Sequence, residues 1–323
     1  MALLPELARD SHLDTHVAPE HCIHSFVESP TITRREVWKR TKHIGTGGFG
    51  TVWLETCIQG HEKEDGALRA VKVLQLPPGA QVDPQRGIIT YGRELEALAK
   101  FSHKKYSRCF VKFHGWYEHA STVSICLDYL PLGDLRTFLA KRSDPRLPEP
   151  EVQQIISQVL DGLVFMHTGG FAHRDLKPSN ILIQTPGPDS WWVKLSDFGL
   201  SKRTEETRGA TGPLGTPGFM APELLGLVPN APKTSNGIKW CPADLWCLGE
   251  TAFQLLTGKP TFPDLGTLAE YGGGRCEFPA SKLHDAMASL AMVEFVSMIM
   301  FADYTQRPTA EAASAHRWLQ DYK

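Results

Sequence analysis

Gly45-Thr46-Gly47-Gly48-Phe49-Gly50 is the first run whose residue types and spacing could do chemistry. Glycines spaced G-x-G-x-x-G let a backbone turn approach a phosphate closely, with its N–H groups aimed at the anion. In a dinucleotide-binding turn the same spacing opens a helix and meets an acidic residue about 20 positions later. Here Thr51-Val52-Trp53-Leu54 continues as a β-rich run, and Ala70-Val71-Lys72 supplies a lysine instead. The turn therefore belongs to a hairpin, and alone it fits a plain hairpin as well as a phosphate cradle. His21-Cys22-Ile23-His24 also has metal-ligating types. Those ligands are cramped and no second cluster completes them, so the spacing matches no structural zinc template.

The elements that must position such groups fall into two blocks. Short β-rich runs at Trp38–Ile44, Thr51–Glu55 and Leu68–Val73 flank the glycine turn and a charged hairpin loop, Gly60–Gly66. Leu95, Leu98 and Ala99 give Gly92–Phe101 a helical spacing, and Phe110–Tyr117 and Val123–Tyr129 read as two more strands. Five strands and one helix predict a small, mostly antiparallel lobe over about residues 38–130. After Pro131-Leu132-Gly133 the pattern turns helical over Asp134–Lys141, Glu149–His167, Asp244–Thr257, Leu283–Phe301 and Ala310–Gln320. Short strands near Ile181–Gln184 and Trp192–Leu195 interrupt it. This second lobe covers about residues 131–320, and the fold class is α+β. A β lobe hinged to a helical lobe leaves a cleft, a common setting for a ligand. Residues 1–37 carry histidines at 12, 16, 21 and 24 without a sustained period. They read as an N-terminal extension, either an arm packed on the body or a tail.

Composition narrows the classes. The 323 residues are enough for about two domains, and 41% hydrophobic with 22% charged residues suits a packed core. A formal charge of −2 argues against general attraction to nucleic acid or anionic membrane. The 7 cysteines form no C-x-x-C pair, which fits a reducing, intracellular setting, cytoplasmic or nuclear. The most apolar stretch, Ser289–Phe301, contains Glu294 and falls short of the about 20 residues a bilayer span needs. The N-terminus lacks the basic leader and apolar run of a secretory signal.

Further along stand His173-Arg174-Asp175-Leu176-Lys177-Pro178-Ser179-Asn180, then Asp197-Phe198-Gly199, then Ala221-Pro222-Glu223. With the glycine turn and Val71-Lys72, these five ordered motifs resemble the catalytic domain of eukaryotic protein kinases, in its serine/threonine branch. The resemblance runs from about Trp38 to Trp318. It implies a two-lobed protein-kinase-like fold that transfers the γ-phosphate of ATP to Ser and Thr hydroxyls of protein substrates, using Mg²⁺.

The resemblance also implies roles. Lys72 would hold the α/β-phosphates, paired with Glu94; Glu96, about 200° away on the helix, would face solvent. Asp175 would accept or orient the substrate proton, Lys177 would contact the γ-phosphate, and Asn180 and Asp197 would bind Mg²⁺. Thr216 would bond Asp175 and Lys177. Gly45 to Gly50, Thr46 and Phe49 included, would cover the phosphates. Ile44, Val52, Ala70 and Leu182 would sandwich the adenine, Leu127 would be the gatekeeper, and the main chain of Asp128 and Leu130 would bind the base edge. Asp134 would reach the ribose. Glu223 would pair with Arg307, Asp244 would anchor the catalytic loop, and Leu98, Phe113, His173 and Phe198 would stack in a hydrophobic column. Arg174 beside Asp175 would receive a phosphate placed on Thr211 by an upstream kinase. Two departures, the loop Thr185–Ser190 and an insertion at Val228–Ile238, are turn-rich and leave every catalytic position in place.

Two alternatives compete. A catalytically weak pseudokinase or scaffold of the same fold usually loses the strand lysine or a catalytic aspartate, and Lys72, Asp175 and Asp197 are all present. A small-molecule kinase of related fold lacks the segment Gly215–Glu223 that positions a peptide. Ser179 and Gln254 stand where arginine-directed relatives carry acids, and Met220 stands where proline-directed relatives carry arginine. The expected preference is therefore neither.

Overall fold

The computed structural model describes residues 4–47, 50–60, 66–75, 84–197, 202–203, 215–229 and 240–320. The charged loop predicted at 60–66 and the insertion at 228–238 fall mostly outside them. Two compact units emerge, Met1–Ser107 with Val111–Pro131, and Arg108–Phe110 with Leu132–Lys323.

The first unit holds α1 (Glu6–Asp10), β1 (Asp14–Val17), β2 (His21–Ser29), β3 (Ile32–Gly47), β4 (Gly50–Gln59), β5 (Leu68–Gln75), α2 (Pro84–Phe101), β6 (Phe113–His119) and β7 (Thr122–Asp128). Its antiparallel sheet has seven strands in the order β1-β2-β3-β4-β5-β7-β6, two more than the five expected. The additions come from residues 14–37, which pair in register as His24 with Glu36 and Cys22 with Trp38. Their period was hard to read because the inward positions of β2 are Cys22, His24 and Phe26 rather than an aliphatic run. A buried histidine is tolerated there because its ring is hydrogen-bonded on both sides. The Arg69 Nη2 donates to His24 Nε2 at 2.8 Å, and His24 Nδ1 meets Thr15 Oγ1 at 2.7 Å. Arginine cannot accept, so His24 is the neutral tautomer protonated on Nδ1.

The second unit holds α3 (Leu135–Leu139), α4 (Glu149–Thr168), β8 (Phe171–Ala172), β9 (Ile181–Thr185), β10 (Trp192–Leu195), β11 (Lys202–Arg203), α5 (Trp240–Thr257), α6 (Leu265–Gly272), α7 (Ser281–Asp285), α8 (Leu290–Ile299), α9 (Ala310–Ser314) and α10 (Arg317–Gln320). The core helices α4 and α5 pack on each other, with Ile155, Leu160, Leu248 and Phe253 fully buried. Phe110, expected to begin a strand of the small lobe, instead bridges to Leu195 here, so β6 starts at Phe113. The single helix predicted over Leu283–Phe301 is two. Met287 takes a left-handed φ of 63°, and Ser289 caps α8 by accepting from Met292 N–H at 3.2 Å. Ala310–Gln320 likewise divides into α9 and α10. Helix α6, which no periodicity announced, is capped by Asp264 on Thr267 N–H. Among the described residues no helix is long and apolar enough to cross a membrane.

Candidate active site

In the first unit the sheet register assembles one set of candidates. Val52 pairs with Lys72, and Ala70 pairs with Leu54 on one side and Leu127 on the other. Residues directly opposite share a face, and alternate residues of a strand return to it. Val52, Ala70, Lys72 and Leu127 therefore line one face of the sheet. Lys72 Nζ reaches Glu94 Oε1 of α2 at 2.8 Å, with both side chains largely buried. Ile44 stays 36% exposed on β3. Gly45 pairs with Val52, Thr46 with Thr51 and Gly47 with Gly50, closing the hairpin; Gly48 and Phe49 lie outside the described residues. Gly50 has a φ of +139°, and a Cβ there would collide with the Val73 carbonyl oxygen. Thr46 Oγ1 contacts His43 Nε2 at 2.9 Å. Asp128 uses its N–H on Lys112 O, at 2.9 Å, and its Oδ1 on His114; Leu130 is buried.

One expectation fails here. Glu96 is buried, not solvated. Helix α2 is enclosed on more than its sheet-facing side, with Tyr91, Leu95, Ala97 and Leu98 buried as well, so the 200° separation from Glu94 does not bring Glu96 into water.

In the second unit a tight constellation surrounds Asp175. Thr216 Oγ1 donates to Asp175 Oδ1 at 2.7 Å, Lys177 Nζ donates to Oδ2 at 2.7 Å and also to Thr216 Oγ1, and Asn180 Nδ2 donates to the Asp175 carbonyl at 2.7 Å and to Oδ2 at 3.2 Å. The loop is held from below by Asp244, fully buried on α5. Its Oδ2 accepts from His173 N–H and its Oδ1 from Arg174 N–H, both at 2.8 Å, which leaves Arg174 at a φ of 69°. His167 Nε2 adds a third bond at 2.9 Å. Burial opposes charge on both partners, yet their bond outweighs it: the carboxyl of Asp244 is held below its ordinary range and His167 is raised to about 9. Sequence reading found Asp244 but missed His167, because it joins Asp244 across the fold and no local spacing marks it.

Asn180 O accepts from Ser196 N–H and Oγ, at 3.0 and 3.1 Å, which ties the end of β10 to the loop that carries Asp175, next to Asp197, itself at a φ of 59°. Phe198 and Gly199 lie outside the described residues, as does Thr211. Leu182 is half-buried on β9 and bridges to Asp134, whose Oδ1 caps α3 by accepting from Thr137 N–H at 2.8 Å. Glu223 and Arg307 form a buried two-bond pair at 2.8 Å each. Cys247, which sequence reading passed over, donates its thiol to Phe219 O at 3.1 Å in the segment that carries Thr216. Leu98, Phe113 and His173 are each buried in their own unit. Gln254 donates to buried Glu250 at 2.7 Å, and Met220 is buried.

The chain is similar to several known protein kinases. The chain is 32% identical to a mitogen-activated protein kinase kinase kinase, MST11, of Pyricularia oryzae over 85% of its own length and 29% of that protein. It is 31% identical to mitogen-activated protein kinase kinase kinase 3 of Arabidopsis thaliana over 73% of its length and 33% of that protein. It is 30% identical to calcium/calmodulin-dependent protein kinase type 1 of Caenorhabditis briggsae over 90% of its length and 75% of that protein. The chain thus spans a third or less of the two kinase kinase kinases it matches. The family model for the protein kinase domain matches residues 38–319. The chain belongs to the protein kinase domain family.

Proposed function

We propose that the chain is a serine/threonine protein kinase that moves the γ-phosphoryl group of ATP to hydroxyls of protein substrates. The observation that carries this reading is the triangle of Asp175, Lys177 and Thr216. A carboxylate offers about four lone-pair sites. Oδ2 of Asp175 takes two donors and Oδ1 takes one, from Thr216. Oδ1 retains a site for an incoming hydroxyl, so Asp175 orients that hydroxyl and receives its proton as the oxygen attacks phosphorus and ADP departs. Lys177, fixed by both partners, meets the charge on the transferring phosphoryl group.

The residues present also suit Mg²⁺. Asn180 donates through Nδ2, which leaves Oδ1 as a ligand, Asp197 offers a carboxylate, and hard cations take such oxygen donors. Bound there, Mg²⁺ would neutralise phosphate oxygens. Lys72, fixed by Glu94, would hold the α/β-phosphates, with the turn Gly45–Gly50 over them. By the family's motif pattern, Ile44, Val52, Ala70 and Leu182 would meet the base, the main chain of Asp128 and Leu130 would meet its edge, and Asp134 would meet the ribose. Asp128 has its N–H engaged, so its carbonyl is the group that would accept from the base.

The reading extends to partners. An upstream kinase would phosphorylate Thr211, and Arg174, whose guanidinium lies 4.1 Å over the Trp240 ring, would receive the phosphate. If phosphatase treatment leaves activity unchanged, this switch is absent. Ser179, Gln254 and Met220 offer neither an arginine-directed nor a proline-directed preference, so a peptide array dominated by either residue contradicts it. The free cysteines fit a reducing, intracellular setting. Incubating the purified chain with Mg²⁺, γ-labelled ATP and a generic protein tests the whole reading: label on the protein supports it, and nucleotide binding without transfer supports a scaffold.

A further inference from the structure

Residues 4–13 precede the family-matched span, so they are an element this chain adds to the kinase domain. They lie against the helix that carries Glu94. Helix α1 packs on α2, and Leu4 and Ala8 are buried. Gly92, two positions before Glu94, faces Leu4 so closely that a Cβ at Gly92 would sit 2.7 Å from Leu4 Cδ2. A second glycine receives the other end. Gly115, at a φ of +129°, leaves room for Leu13, and a Cβ there would lie 2.7 Å from Leu13 Cγ.

Trp116 of β6 joins these contacts. Its Nε1 donates to Ala8 O at 2.6 Å, its backbone N–H donates to Ser11 O at 3.1 Å, and its carbonyl accepts from Leu13 N–H at 2.8 Å. On the same indole, His12 packs edge-on at 4.7 Å and Tyr91 of α2 lies 5.8 Å away. Tyr91 in turn donates to Glu118 of β6. Segment, strand and helix therefore lock around one buried tryptophan, and the contacts on α2 fall at Tyr91 and Gly92, within one helical turn of Glu94.

We propose that residues 4–13 form a strap that sets the position of α2, and with it the Lys72–Glu94 pair, which makes Leu4, Ala8 and Leu13 positioning residues for phosphoryl transfer. Its consequence for catalysis rests on the kinase reading above. A helix gripped at Tyr91 and Gly92 holds Glu94 at Lys72, and a released helix surrenders the cover at Tyr91 and Gly92. The strap touches nothing that reacts, so its effect is on how ATP is held rather than on the peptide.

The full chain carrying Leu4→Asp and Leu13→Asp is compared with Leu4→Met and Leu13→Met, and with Leu290→Asp at an exposed site. Hydrogen exchange is followed over residues 84–101, β4, β5 and α4, alongside kcat and KM for ATP and for a serine peptide. The aspartate pair is expected to speed exchange in 84–101 by about tenfold, within the usual range of coupling between sites, and to raise KM for ATP and lower kcat with peptide KM unmoved. The methionine pair and Leu290→Asp should match wild type. Gly92→Leu, which pushes on Leu4 from the helix side, should reproduce the aspartate pattern in a chain whose strap is intact. Unchanged exchange over 84–101 overturns the proposal. Equal acceleration in β4 and β5 overturns it too, because the strap would then only stabilise the sheet. A wild type without transfer activity whose α2 still responds refutes the kinase reading and leaves the strap standing.

Discussion

Each unit holds a buried charge network around a single central ion, Arg69 in the first and Asp244 in the second, and the two ions are opposite in sign. In the first, Arg69 is the centre. It donates to Glu55 Oε2 at 2.7 and 3.0 Å and to His24 at 2.8 Å, and lies 4.0 Å over the Trp38 ring. Burial, reinforced by this cation, drives His24 down to about 3. In the second, the anion Asp244 is the centre, and it drives His167 the other way. The difference lies in what each network holds. Arg69 joins side chains of β2, β3, β4 and β5, so it staples the added strands to the sheet. Asp244 accepts the backbone N–H groups of His173 and Arg174, so it fixes the loop that carries Asp175.

The largest expected effect comes from removing the anion. Asp244→Ala leaves two buried N–H groups and the His167 cation without their acceptor. Chemical denaturation should show a loss of about 3–5 kcal/mol, as for other broken buried pairs, with transfer abolished in the fraction that folds. Arg69→Met, the matching lesion in the first unit, should cost stability while leaving measurable kcat. If Arg69→Met abolishes kcat at unchanged stability, the division of labour between the networks is wrong.

Glu94→Gln comes next. It keeps the shape of the side chain but removes the charge that fixes Lys72. Steady-state kinetics should show kcat/KM for ATP falling by about 10- to 100-fold, equivalent to roughly 1.4–2.7 kcal/mol. An unaffected variant would mean that Lys72 is positioned by something else.

The two histidines sharpen the comparison through pH. Between pH 6.5 and about 9 the folded chain keeps a proton on His167 that the unfolded chain has released. That contribution is full below pH 6.5 and fades as pH rises to about 9. Between about 3 and 6.5 the unfolded chain takes up a proton that folded His24 refuses, so stability falls as pH drops through that window. Thermal melts across pH should show His167→Gln flattening the alkaline limb alone and His24→Gln the acid limb alone. The same limb flattened by both variants would refute the opposed signs.

Cys247 gives the smallest effect. Its weak thiol bond to Phe219 O is worth about 0.5–1 kcal/mol. Cys247→Ala should raise peptide KM a fewfold without moving KM for ATP, and Cys247→Ser should restore it.

The second unit was the more legible in the sequence. Asp175, Lys177 and Asn180 lie within one short loop whose spacing is itself the geometry, and Glu223 with Arg307 follow from their motifs. The β strands at Trp38–Ile44, Thr51–Glu55 and Leu68–Val73 show as short β-rich runs flanking the glycine turn. What escaped depends on distant partners. β2 hides behind an inward histidine that Arg69 and Thr15 make acceptable, and Glu96 is buried by cover that no helical wheel reveals. The break at Met287 turns on one left-handed residue and on the bond between Ser289 and Glu149, far apart in the chain. His167 looks like any helix-end histidine until α5 brings Asp244 to it.

The most direct measurement of the central claim identifies the phosphorylated amino acids made from γ-labelled ATP and Mg²⁺ by wild type and by Asp175→Asn. The account predicts phosphoserine and phosphothreonine from wild type, and a rate lower by about 10²- to 10⁴-fold from Asp175→Asn, the usual worth of a positioned proton acceptor. Phosphotyrosine as the main product, or equal transfer by the two proteins, would contradict it.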